Sequence, residues 1–404
     1  MDRLPTGDPA LEEYMRFSTR RKFAIVLPSA RESGKAKTPV KILLVVSELP
    51  PARSGVASSA RLLIEHYRRM GHELDTITMR SLPKLMWGEL RLSFFFLRWP
   101  SIRRQLMEYD CVHVHGPAPT FSDMFLLLIR LTVTRKTRPK VVYTHHFELD
   151  LPGLRILCRL YNRLHRRILR LADAVVVTTR AYERLLLDRE HQNVVVIPWG
   201  ADHLAYPAGD RESGRFDILA VAQLRSYKGI EVLLRAFQQV PEARLHIVGE
   251  GHRRKRHEAL AARLELQGVR FHGELSDAEL CALFAACHVV VLCSVSMMEA
   301  FGMSLLEGMK IGCVPVASDL PGVAEVVGDA GILVAPGNAN GFAEALRGLR
   351  QDRALWDRLS ARARKRAATF RWEETAASYA GLIERLSENE GARRTGLRAA
   401  WTRE

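Results

Sequence analysis

A chain of 404 residues has room for two domains of ordinary size, each with its own core, and a hydrophobic share of 47% excludes a disordered protein. Its formal charge of +15, from 60 Lys and Arg against 45 Asp and Glu, favours anionic partners, while no uncharged apolar run approaches the ~18 residues of a membrane-spanning helix. The six cysteines, at 111, 158, 281, 287, 293 and 313, show no paired metal-ligand spacing, and several sit inside apolar runs, so they are expected to be reduced and structural.

Residues 1–38 mix acids and bases around one brief apolar run, Phe23 to Leu27. They are expected to form an N-terminal extension and not a secretory leader, which makes a cytoplasmic location the default. The run Lys41 to Ser47 predicts the first strand, Pro50 to Gly55 a turn-rich loop, and Ala57 to Met70 a helix stopped by Gly71. That order opens a βαβ unit, in which the strand end and the helix start form a ligand crevice. Gly55 stands alone there, so a dinucleotide fingerprint is not supported.

Further strands are predicted at Leu74 to Met79, Cys111 to His115 and Val141 to Thr144, the last running into His145-His146-Phe147-Glu148. A polar cluster at the exit of a parallel strand is where this architecture places chemistry. The two histidines have no third residue spaced to complete a metal site, and a role-free histidine is the alternative.

The excess positive charge is concentrated. Arg80 to Arg104 carries six basic residues against Glu89, beside Trp87, Phe94, Phe95, Phe96 and Trp99; Leu154 to Arg170 carries six arginines and no acid. The second stretch predicts an amphipathic helix, Leu154 to Leu171, with Leu154, Leu157, Tyr161, Leu164, Ile168 and Leu171 on one side and Arg155, Arg159, Arg163, Arg166 and Arg170 along another. Two readings follow: a core helix with a solvated basic face, or a helix in contact with acidic lipid head groups. No nucleic-acid reading module accompanies the charge, so nucleic acid is not an expected partner.

A strand at Ala174 to Thr179, a helix near Tyr182 to Arg189 and a strand at Val194 to Ile197 lead to Pro198-Trp199-Gly200 and an interdomain connection, Ala201 to Arg215. A second alternating series then predicts strands at Asp217 to Ala222, Arg244 to Val248, Val269 to Phe271, Val289 to Leu292, Val314 to Ala317 and Ile332 to Val334, hence a second doubly wound α/β domain. Lys228 lies between its first strand and first helix, placed to reach a phosphate or to be an ordinary surface lysine. The most informative stretch is Glu299-Ala-Phe-Gly-Met-Ser-Leu-Leu-Glu307. It follows a buried-type strand and, after Gly302, takes helical spacing, so free amides and the positive helix end suit a pyrophosphate. Glu299 in the loop and Glu307 a turn inside the helix suit sugar hydroxyls.

In this order the motifs resemble the retaining, nucleotide-sugar-dependent glycosyltransferases of family four, from about Lys41 to Leu386. Cys293-Ser-Val-Ser-Met-Met-Glu299-Ala-Phe-Gly302 with Leu306-Glu307-Gly-Met309 resembles the family's E-x7-E signature. Lys228-Gly229, Ile247-Val-Gly-Glu-Gly251, Phe271-His-Gly273, Gly312-Cys-Val-Pro-Val316 and Gly322-Val-Ala-Glu325 stand in family places, and Phe370-Arg-Trp372-Glu373 opens the usual terminal helix. The resemblance implies a GT-B fold, two Rossmann-like doubly wound domains facing each other across a cleft. The expected layout is an extension over 1–38, an acceptor-side domain over 39–203 with a terminal helix about 373–388 packed back on it, a donor domain over 214–372 and a basic tail over 389–404.

Residue by residue, the resemblance implies that Glu299 holds donor-sugar hydroxyls, Glu307 the ribose, and Lys228 the leaving diphosphate. The amides after Gly302, at Met303 and Ser304, with Phe301 alongside, would receive pyrophosphate. Thr144-His145-His146-Phe147-Glu148 fits a T-x-H-x-D/E pattern that places His146 against donor and acceptor, and Gly55 resembles the N-terminal glycine loop. The chain departs from the family at Gln223, where Arg is usual and Arg225 is the replacement cation, and at Cys293, Trp199 and Pro321. The implied function is transfer of a hexose, with retention, from a UDP- or GDP-sugar to a hydroxyl of a glycan, lipid-linked or small-molecule acceptor. No metal and no cofactor beyond the nucleotide-sugar co-substrate are expected. Peripheral attachment to the inner face of the membrane is the further expectation. The alternatives are a catalytically weak sugar-nucleotide-binding partner subunit, motivated by Gln223, and a sugar-nucleotide epimerase of the same fold.

Overall fold

The computed structural model describes residues 39–50, 55–78, 99–115, 119–133, 139–150, 153–186, 193–204, 211 and 214–401. The extension, the basic stretch up to Arg98, and 205–210 and 212–213 of the connection lie outside these.

Among the described residues there are twelve strands, most of them short and rich in Val, Ile and Leu. Lys41–Val46 (β1), Glu73–Thr78 (β2), Cys111–His115 (β3), Lys140–Thr144 (β4), Ala174–Val177 (β5) and Val194–Val196 (β6) form one sheet, and Asp217–Val221 (β7), Arg244–Val248 (β8), Val269–Gly273 (β9), Val289–Leu292 (β10), Val314–Ser318 (β11) and Ile332–Val334 (β12) form the other. Every pairing is parallel. The central strands are buried along their whole length, as β10 is from Val289 to Leu292, because helices cover both faces.

Strand order is β2-β1-β3-β4-β5-β6 in the first sheet and β12-β11-β10-β7-β8-β9 in the second. The winding therefore reverses between β1 and β3, and again between β10 and β7. In open α/β sheets ligands bind outside the strand ends at such a reversal. The loops that matter are those leaving β1, β3, β4, β7 and β10.

One continuous apolar cluster joins the lobes, with Tyr67, Trp199 and Tyr379 packed in the same core as Phe301, Leu306 and Phe370. Trp199 lies edge-on to Phe301 at 5.8 Å and is stacked on Trp372 at 6.4 Å between ring centroids. The last helix, Trp372–Trp401, packs against the helix Gly55–Arg69 and against β4, where the Tyr379 hydroxyl meets Thr144 Oγ1 at 3.0 Å. It is anchored at its start by Asp202, which accepts from Trp372 N at 2.7 Å, and it runs on through residues assigned from sequence to a basic tail. Across the lobes, both Glu325 carboxylate oxygens accept at 2.9 Å from the amides of Arg180 and Ala181, and Tyr182 Oη donates to Met297 O at 2.5 Å. Pro321, a departure from the family pattern, sits in the first turn of the helix Pro321–Val327, where its missing N–H costs nothing.

Trp99, at the end of the basic aromatic stretch, is 7% exposed, edge-on to Phe125, and donates through Nε1 to Thr132 Oγ1 at 3.0 Å. Of the two readings of the amphipathic helix, the core one is corrected. The helix Arg155–Leu169 does not bury its leucine side. Its buried residues are Cys158, His165, Ile168 and Leu169, while Leu154, Leu157 and Leu164 are 47%, 60% and 53% exposed. The physical reason is that its inner face meets a polar loop: Asn162 bonds both Leu149 N and Leu149 O, and Arg166 pairs with Glu148 at 2.5 Å.

Candidate active site

The segment leaving β7 makes a single 3₁₀ turn, Ser226–Lys228, closed by Gly229 in the left-handed region at φ 66°. Glycine is required there twice over. A Cβ would lie 1.8 Å from Cys293 O, so the β7 and β10 loops pass in backbone contact. Val295 N donates to Tyr227 O at 2.8 Å and ties them again.

This contact sets Lys228 beside Glu299. Lys228 Nζ is 2.5 Å from Glu299 Oε2, which also accepts from Ser294 Oγ at 3.1 Å, and the two side chains are only 16% and 11% exposed. Burial pulls the Lys228 ammonium down, but the Glu299 charge and hydrogen bond outweigh it, so its pKa is raised and it stays a cation. Arg225 is exposed and close enough to act on Lys228 in the opposite sense.

Gly302, at φ 80°, caps the helix Met303–Lys310, whose first bonds run from Leu305 N and Leu306 N to Gly302 O. The amides of Met303 and Ser304 precede them and point out of the helix start, the positive end of its dipole. Gly55 faces this terminus from the other lobe: a Cβ on it would meet Met303 Cγ at 3.9 Å. Phe301 contributes backbone only, since its side chain is 4% exposed and packed between Trp199 and Phe370.

His146 follows β4 and is 7% exposed, with its ring 5.2 Å from Trp199 and 4.7 Å from His115. Burial lowers its pKa to about 3, so it is a neutral imidazole, and its Nε2 is buried without a hydrogen-bond partner. Its Nε2 therefore retains hydrogen-bonding capacity that no neighbouring protein group uses. His145 faces elsewhere, bonding His165 Nε2 through Nδ1 at 3.1 Å. Among the described residues no three His, Cys, Asp or Glu side chains gather to hold a metal.

Glu299 and Glu307 have different partners. Glu307 approaches His203, with Oε1 3.5 Å from Nε2. Trp372 Nε1 donates to His203 Nδ1 at 3.2 Å, so the proton of the neutral ring sits on Nε2 and faces Glu307. Burial, with a smaller contribution from Asp277, raises the Glu307 pKa to about 8; burial, with Arg61 next, lowers His203 to about 4. His203 was not legible in the sequence, because it lies in a segment that reads as a connection and meets Glu307 only through the packing of Trp372.

These values carry a prediction. A carboxyl whose folded pKa is raised from 4.5 to about 8 holds its proton more tightly folded than unfolded, so ligand-free stability falls as pH rises between those values. Below about pH 6.5 the depressed His203 acts in the opposite direction. The Glu307 slope is therefore visible between about pH 6.5 and 8, at up to about 1.4 kcal/mol per pH unit. Denaturant unfolding of Glu307→Gln across this range is expected to lack the decline; an unchanged slope would contradict the assignment.

Two parallel six-stranded lobes, with loops meeting at the reversal points around a cationic, amide-lined helix terminus, define a two-domain α/β protein whose cleft chemistry suits an anionic ligand. Residues 53–203 match Glycosyltransferase Family 4 and residues 207–366 match Glycosyl transferases group 1, together most of the chain. The chain belongs to glycosyltransferase family 4, nucleotide-sugar-dependent enzymes of the GT-B fold. It is 31% identical to the D-rhamnosyltransferase WbpZ of Pseudomonas aeruginosa over 61% of this chain and 66% of that protein. It is 27% identical to the phosphatidyl-myo-inositol mannosyltransferase of Mycolicibacterium smegmatis over 82% of this chain and 90% of that one. The solved structure of Anabaena Alr3699/HepE in complex with UDP and glucose superposes with a TM-score of 0.67 at 18% identity, over 86% of this chain and 99% of that one, a likeness of fold.

Proposed function

We propose that the protein transfers a hexosyl group from a nucleoside diphosphate sugar to an acceptor hydroxyl, with retention, giving an α-glycosidic bond from an α-linked donor. The observation that carries this reading is the Lys228–Glu299 pair beside the unpaired amides of Met303 and Ser304, at the point where the β7 and β10 loops touch. Pyrophosphate seats on those amides, and Lys228 exchanges part of its bond to Glu299 for the β-phosphate. Glu299 is then free to accept from sugar hydroxyls, and Glu307, deprotonated on binding, accepts from the ribose. As the bond between the anomeric carbon and the phosphate oxygen breaks, charge grows on that oxygen, and Lys228 stabilises it more in the transition state than in the ground state. The acceptor oxygen attacks from the same face, and its proton passes to the departing phosphate. His146, a neutral group whose Nε2 has no protein partner, orients hydroxyls at this junction in the same reading. With Lys228, the helix terminus and Arg225 supplying positive charge, turnover needs no metal and survives a chelator.

The rhamnosyl and mannosyl groups named for two relatives share one configuration at C2, which favours a D-manno-configured hexose as donor. The phosphatidyl-myo-inositol of one relative's name favours an acceptor hydroxyl carried on a lipid. A thermal-shift panel of UDP- and GDP-sugars tests the donor, because a ligand stabilises the folded state by mass action. The manno-configured donor is expected to give the largest shift. Equal shifts for all hexoses, or none, would overturn the donor assignment.

A further inference from the structure

We propose that the outer face of the helix Arg155–Leu169 seats on an anionic lipid bilayer, and that this contact delivers a membrane-borne acceptor to the His146 loop. The delivery step rests on the transfer reading above; the docking step does not.

Four large apolar side chains on this helix stand in solvent: Ile156 at 70%, Leu157 at 60%, Leu160 at 56% and Leu164 at 53% exposed. At 100° per residue they occupy an arc of about 100° on one side of the helix. Singly exposed leucines are ordinary, but four on one helix face make a patch that needs a cover. Arg155, Arg159 and Arg163 are exposed on the adjoining arc, Arg167 is exposed at the edge of the apolar arc itself, and no acid occurs from Leu154 to Arg170. Apolar side chains bordered by arginines and lacking any acid match the boundary between acyl chains and anionic head groups. Nucleic acid would leave the leucines uncovered. A second copy of the chain would bring a like-charged arc against this one.

The inner face of the same helix builds the loop after β4. Asn162 holds both backbone groups of Leu149, at 3.0 and 2.9 Å; Arg166 holds Glu148; and His165 holds His145, the neighbour of His146. His165 is fixed in turn by Asp123 at 2.7 Å. Farther along the same loop, the Asp150 carbonyl accepts from Ser296 Oγ at 3.3 Å in the loop that carries Glu299. An acceptor head group lifted from the bilayer at this helix would thus enter beside His146.

Flotation with phosphatidylcholine vesicles, with and without phosphatidylglycerol, tests the docking. The protein is expected to float only with phosphatidylglycerol and to be released by salt. The variant L157Q/L160Q/L164Q is expected to lose at least about tenfold in vesicle partitioning, and R155Q/R159Q/R163Q to lose selectivity for phosphatidylglycerol. Thermal stabilisation by a nucleoside diphosphate, measured on both variants, is expected to match wild type, which shows that they are folded. A second measurement avoids the triple variants. All six native cysteines are buried, so Leu160→Cys takes an environment-sensitive thiol dye at one site. Its emission is expected to shift to the blue on phosphatidylglycerol vesicles. Absence of wild-type flotation, equal flotation of the leucine variant, or a dye shift produced by protein concentration alone would overturn the proposal. Flotation that persists in a protein showing no response to any nucleotide would instead sink the transfer reading and leave the docking intact.

Discussion

Replacing Lys228 by alanine is expected to lower kcat by about 10² to 10³ while changing the donor KM far less, the pattern of a group that acts on charge developing in the transition state. The same substitution removes the cation paired with Glu299 at 2.5 Å and leaves a carboxylate that is 11% exposed with Ser294 as its neighbour. Breaking a buried pair from one side costs about 3 kcal/mol, so the variant is also expected to unfold at lower denaturant. The two effects separate in the double variant Lys228→Met with Glu299→Leu, which removes both charges. Stability is expected to recover, because no uncompensated charge remains, and activity is not. If activity recovered with stability, Lys228 would be a structural partner of Glu299 alone.

Gly229→Ala is expected to cost about 3 kcal/mol or more, the range of backbone clashes and not of surface substitutions. The added Cβ meets Cys293 O at 1.8 Å and Cys293 C at 2.7 Å, both backbone atoms of the β10 loop, and φ at 66° is itself unfavourable for alanine. Relief requires the two loops to separate, and that separation moves Lys228 away from Glu299. Denaturant unfolding together with donor-dependent activity reads both consequences. A variant of wild-type stability and activity would show that the loops do not meet as described.

The parts of this molecule legible from sequence are those that depend on local pattern. The strands β10 and β12 read as short apolar runs, β3 and β8 set Val, Leu or Ile among polar residues, all four have the ends their sequence predicts, and the glycine before Met303 announces the helix start. What escaped depends on tertiary packing. The helix Arg155–Leu169 has a strong apolar period, but periodicity does not say which arc meets the protein, and here Asn162, His165 and Arg166 claim the inner side. Trp99 and Phe301 carry aromatic rings beside charged or ligand-facing segments, yet both rings are core. The pairing of His203 with Glu307 depends on where Trp372 puts the first residue of a helix that begins far along the chain. Lys228 and Glu299 were each placed at a ligand from the sequence. Their mutual bond was not foreseen, because it follows from a backbone contact between two loops that no local pattern encodes.

The most direct test of the central claim, that the cleft binds a nucleoside diphosphate at Met303 and Ser304 with Lys228 and Glu307 on either part of it, is calorimetric titration with UDP and with GDP. One of the two is expected to bind wild type at a single saturable site, and Lys228→Ala and Glu307→Ala are each expected to weaken it by about tenfold or more. Failure of both nucleotides to bind the folded protein, or binding that neither substitution alters, would contradict the account.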